Sequence, residues 1–152
     1  MPSSLNDIAH VIQLAVAPVF LLTGVGALLA VLSGRLGRAV DRSRVVEEQL
    51  PDLDQAALAA AREELALISR RTRLIYTAIA LAVLCALLIC VLIAVAFIDA
   101  FLAINLARFL ATLFVLAMLA LIASLLAFLR EIFLAVSSAR TAMRRRAEGL
   151  KP

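Results

Sequence analysis

The sequence has no tryptophan, one tyrosine, one histidine and two cysteines among its 152 residues. Each shortage closes off a class of chemistry. A zinc site needs more ligands than Cys85 and Cys90 supply, and the lone His10 is far from both in sequence. At a spacing of five, the two cysteines do not share a helix face. No phosphate-cradling glycine loop, nucleophile elbow or H-E-x-x-H helix is present. Acidic residues are missing from the interior of every long apolar run, which argues against paired catalytic carboxylates and a membrane proton relay. No inverted repeat of the transporter kind is visible. We therefore expect no enzyme activity, cofactor or resident metal. Lysine is almost absent too: Lys151 is the single one, and the other fourteen basic residues are arginines, a bias that fits a GC-rich bacterial source.

Apolar residues fill the space these absences leave. They make up 64% of the chain, and its mean hydropathy is +1.06. A water-soluble domain is typically about 45–50% apolar, so lipid is the expected solvent. Three runs are long enough to cross a bilayer core, which takes about 20 residues of helix. They are residues 8–33, 74–98 and 109–129. None shows the period-two alternation of a membrane β-barrel. The first lacks the basic n-region and small-residue cleavage site of a secretory signal, and Arg35 and Arg38 follow it as stop-transfer charges.

The expected fold is all-α and integral to the membrane. Three transmembrane helices carry a helical extension, or stalk, formed by the 34–73 segment and the 130–152 tail. A short external loop, 99–108, joins the second and third spans. The arginine count sets the orientation. Residues 34–73 hold eight arginines, the tail holds five and Lys151, the first ten residues hold no Lys or Arg, and 99–108 holds one. Basic segments stay on the cytoplasmic side. The chain is thus expected in a bacterial inner membrane, N-terminus outside and C-terminus in the cytoplasm. The basic charge flanks apolar runs, so the expected partner is the lipid bilayer and not nucleic acid.

Leu50-Pro51-Asp52 reads as a break, with Pro51 suited to a first helical position and Asp52 and Asp54 to a helix N-terminus. Beyond it, Leu58, Ala61, Leu65, Ile68, Thr72 and Ile75 recur at 3-4 spacing. That predicts one continuous helix from about residue 52 to 98. The acids Glu47, Glu48, Asp52 and Asp54 gather at the tip of the stalk, away from the arginines.

Candidate site residues cluster on the first helix and in a basic collar. On a helical wheel, His10, Gln13, Ala17, Gly24 and Leu28 fall on one face, which Arg35 and Arg42 continue. This polar face could line a water path or anchor at the interface. A second face carries Thr23, Gly26, Ala30, Ser33 and Gly37, small residues of the kind that let membrane helices approach closely. Pro18 is a candidate kink. The collar consists of Arg35, Arg38, Arg42, Arg70, Arg71, Arg73 and Arg130, placed to meet lipid head groups or gather anions.

The stretches Ile8 to Leu22, Gly24 to Leu29 and Arg35 to Arg42 resemble the bacterial membrane proteins grouped as domain of unknown function 2721. The specific match covers about residues 8–44. The resemblance implies a three-span inner-membrane protein of this size and implies no activity; it draws attention to His10, Gln13, Pro18, Arg35, Arg38, Asp41 and Arg42. The favoured expectation is a homo-oligomer forming an ion-conducting pore, since one copy is too small to enclose a conduit. A membrane scaffold acting through the stalk and a lipid-binding protein are the alternatives.

Overall fold

The structure, a computed structural model, describes the backbone of residues 2–102 and 105–149. It describes the side chains of residues 16–136, except 52, 56, 103 and 104. All but four of the described residues are helical, and none forms a strand: α1 (Pro2–Gln49), α2 (Gln55–Leu102) and α3 (Ala107–Gly149), with a 3-10 turn at Leu50–Asp52. Each helix contains a stretch long and apolar enough to cross a membrane. The chain is therefore a three-helix membrane protein by length and composition.

Local chemistry sets the helix ends. Pro51 sits in the first positions of the 3-10 turn, and Leu53 then takes an extended conformation (φ −91°, ψ 142°) that ends it. Asp54 starts α2: its Oδ1 accepts the Ala57 N–H at 2.8 Å, and its carbonyl accepts the Leu58 N–H at 2.8 Å. The second helix thus begins three residues later than the proline pattern predicts, because a side-chain cap outweighs a favourable Pro51. At its other end α2 runs to Leu102, beyond the expected 98. Asp99 Oδ1 accepts the Leu106 N–H at 3.1 Å, which puts a carboxylate at the N-terminal end of α3. α1 continues through Pro18 without interruption, although proline lacks the N–H of one ladder bond.

The chain divides into two compact units, each drawn from all three helices. Unit 1 comprises Met1–Val31 and Ile79–Ser124. Its core is Val25 from α1, Ala82, Cys85 and Ile89 from α2, and Ala117 and Ala120 from α3. Four of those six residues are Ala or Cys, so the helix backbones come close. This is how helices associate where lipid tails remove any hydrophobic drive between them. The larger apolar side chains face outward: Phe20, Leu87, Phe101, Phe114, Val115 and Leu119 are all exposed. In water such a surface would be an aggregation patch; in lipid it is a solvated one. Cys85 is buried and Cys90 exposed, both as free thiols.

Unit 2 comprises Leu32–Ala78 and Leu125–Pro152. Its buried residues include Leu32, Val46, Ile68, Ile75 and Ala78. Every member of the 3-4 series from Leu58 to Ile75 is buried or half-buried, so the seam faces inward. Unlike unit 1, unit 2 also buries a carboxylate.

Candidate functional site: an arginine–glutamate–arginine clasp

Glu131 on α3 is completely buried, between Arg35 of α1 and Arg71 of α2. Its Oε1 accepts from Arg71 twice, from Nη2 at 3.1 Å and from Nε at 3.3 Å. Its Oε2 lies 2.7 Å from Arg35 Nη2. That distance makes an ion pair, but the alignment is not that of a hydrogen bond, so Oε2 is left without one. Coulomb attraction tolerates the misalignment, whereas a hydrogen bond weakens steeply with angle. The Arg35 guanidinium is further held by Phe128, one turn before Glu131, with Cζ 5.4 Å from the ring centroid.

Side-chain length explains the local arrangement. The two arginines are each about a quarter to a third exposed, at 26% and 30%, while the carboxylate is at 0%. Each is long enough to stay partly exposed while its charged end reaches the buried acid. An isolated buried carboxylate costs several kcal/mol; two cations around one anion offset that and leave a net positive charge. The clasp ties one residue of each helix to a single point within unit 2.

The seven collar arginines separate into two clefts of unit 2. The first, of about 290 Å³, is lined by Arg35, Arg38, Arg42 and Arg71 with Ala39 and Ile68. Three of these four arginines pair with an acid of the chain, two of them sharing one carboxylate. Arg35 and Arg71 meet Glu131, and Arg42 meets Glu64 through Nη2 at 2.6 Å and Nε at 2.8 Å. The Arg42–Glu64 pair is exposed on both sides, so its contribution is small, roughly 0–1 kcal/mol. The second cleft, of about 640 Å³, is lined by Arg70, Arg73 and Arg130 with Leu74, Phe133 and Leu134. No acid lines it.

The helix-one candidates are distributed differently. The side chains of His10 and Gln13 lie outside the described residues. On the face assigned to them, Ala17, Gly24 and Arg42 are exposed, but Leu28 packs on the unit 1 core and Arg35 enters the clasp. That face is thus divided between inside and outside. Thr23, Gly26, Ala30 and Ser33 are all exposed. The Thr23 hydroxyl donates to the Val19 carbonyl at 3.3 Å, within its own helix. A methyl group built on Gly24, Gly26 or Gly37 would meet nothing within 4 Å. Among the described residues, the small residues of the unit 1 core are those of α2 and α3: Ala82, Cys85, Ala117 and Ala120. Among the described residues, no group of three His, Cys, Asp or Glu side chains could hold a metal ion.

Glu131 is the residue that sequence reasoning passed over. A signal for it exists: it is the single acid between Asp99 and Glu148, and it directly follows the last apolar run and Arg130. An isolated acid at the edge of an arginine-rich helix invites a partner from another helix. Which arginines would supply it depends on the packing of all three helices.

No curated protein and no solved structure gives a significant match to this chain. A family model described as "Protein of unknown function (DUF2721)" matches residues 15–141. The matched region takes in the unit 1 core, the clasp residues Arg35, Arg71 and Glu131, and both clefts. With most of its length covered and three helices able to span a membrane, the chain belongs to the DUF2721 family.

Proposed function

We propose that the protein is a non-catalytic, homo-oligomeric protein of the bacterial inner membrane, and that its assembled copies form an ion-conducting pore. The N-terminus is outside and the C-terminus cytoplasmic in this reading, which rests on the arginine-rich 34–73 and 130–152 segments. Most of unit 2 then forms a cytoplasmic helical stalk. The observation that carries assembly is the exposure of Thr23, Gly26, Ala30 and Ser33. Small residues on the outside of a span give the chain nothing by themselves, since Leu meets lipid equally well. They do let a second helix approach closely. A path must lie between copies, because unit 1 is filled by Val25, Ala82, Cys85, Ile89, Ala117 and Ala120.

A second reading, a membrane scaffold, is favoured by the clasp, which stiffens unit 2 into a surface fit for docking a partner. The two separate by experiment. Light scattering of the purified protein, with detergent subtracted, should give four or more copies, and Gly26→Leu with Ala30→Leu should lower that number while helicity is retained. Purified oligomer in planar bilayers should conduct. A monomer or dimer leaves too few helices for a water path and removes the pore reading. An oligomer without conductance favours the scaffold.

A further inference from the structure

The geometry points to the Arg70/Arg73/Arg130 cleft as a binding site for the phosphate head group of an anionic phospholipid. Its charge is the first reason. The neighbouring cleft spends three of its four arginines on Glu131 and Glu64. Arg70, Arg73 and Arg130 form no ion pair among the described residues, and no acid lines their cleft. Three arginines thus line one cleft with no acid among the described residues to balance them. The planar fork of arginine matches phosphate oxygens two at a time.

Position is the second reason. Arg73 directly precedes the apolar run that starts at Leu74, and Arg130 directly follows the run that ends at Leu129. Both therefore stand where hydrocarbon gives way to head groups. Arg70 and Arg73 are three apart on α2, while Arg130, Phe133 and Leu134 share a face of α3 at i, i+3 and i+4.

The apolar wall is the third reason. Leu74, Phe133 and Leu134 line the same cleft as the arginines, and Phe133 is 66% exposed. A free inorganic anion gains nothing from such a wall. The glycerol and upper acyl carbons of a lipid bury against it while the phosphate meets the arginines. At about 640 Å³ the cleft is also large for a bare phosphate and within the range of organic ligand pockets.

The test uses the full-length protein in micelles, titrated with phosphatidylglycerol or phosphatidylcholine and read by native mass spectrometry. Phosphatidylglycerol should bind at least tenfold tighter than phosphatidylcholine. Changing Arg70, Arg73 and Arg130 together to Gln should weaken phosphatidylglycerol binding about a hundredfold, near fivefold per arginine. Changing Arg38, Arg44 and Arg62 to Gln removes equal charge elsewhere and should shift binding less than threefold. Phe133→Glu, at a position 66% exposed, should cost about tenfold and provides a second check if the triple variant misfolds. Glycerol 3-phosphate, which has the phosphate without the acyl chains, should compete only weakly. Equal loss in both triple variants would reduce the site to diffuse charge and overturn the proposal. So would unchanged binding by Phe133→Glu, or full competition by glycerol 3-phosphate, which would make the ligand a soluble phosphate.

Discussion

Units 1 and 2 are made from the same three helices and are held together by different physics. Unit 1 closes on alanine, cysteine, valine and isoleucine, with its large apolar side chains turned outward. Unit 2 closes on an isoleucine and leucine seam and on a carboxylate held by two arginines. In hydrocarbon, close approach of backbones is what helices can gain from one another, so small residues hold the core. Where head groups and water are in reach, arginine can keep part of its side chain solvated and still deliver charge inward. One amino-acid type thus explains much of the difference: arginine has no place in the middle of unit 1 and is the main structural side chain of unit 2.

The largest expected effect breaks this contrast at its centre. Glu131→Ala leaves Arg35 and Arg71 facing each other without an anion, and should destabilise the fold by about 3 kcal/mol in reversible unfolding from mixed micelles. Replacing all three clasp residues by apolar ones of similar size should cost much less, because the desolvation penalty disappears along with the attraction. If the triple replacement proved as damaging as the single one, the clasp would not be an electrostatic unit.

Unit 1 should respond to volume instead. Ala117→Leu forces a large side chain into a fully buried alanine site and should cost about 2 kcal/mol. The same change at the exposed Ala30 should leave the stability of the single chain within about 0.5 kcal/mol, and should lower the mass of the proposed oligomer. A destabilisation at Ala30 matching that at Ala117 would mean that the small face of α1 packs within its own chain.

Two smaller effects sharpen the comparison on the side of unit 2. Gly37→Ala enters open space in a helix and should stabilise by roughly 0.5–1 kcal/mol through helix propensity. Arg42→Ala removes an exposed ion pair and should change stability by no more than about 1 kcal/mol, with the difference shrinking in high salt. A loss at Arg42 comparable to that at Glu131 would show that exposure is a poor guide to the energetics of the collar.

The three helices were legible because a bilayer imposes a length and an apolar content that few other structures share. The break at Leu50-Pro51-Asp52 was legible as well, although the helix beyond it begins at Gln55, where the Asp54 cap fixes it. The collar arginines could be named one by one from their positions beside the apolar runs, and all seven line the two clefts. Which of them pair with an acid and which do not could not be read in the same way. Arg35, Arg71 and Glu131 are 36 and 60 residues apart in sequence, and no periodicity links residues on different helices.

The sequence by itself determined the solvent of this protein, its three helices and the segments where charge is allowed. Those follow from transfer free energies that each residue carries wherever it stands. Tertiary structure alone decided which arginines Glu131 takes, which small residues face inward and which cleft has arginines without an acid partner. These depend on the rotation of each helix about its own axis, and that rotation is set by the packing of Ala82, Cys85, Ala117 and Ala120 in one unit and of Ile68, Ile75 and Glu131 in the other.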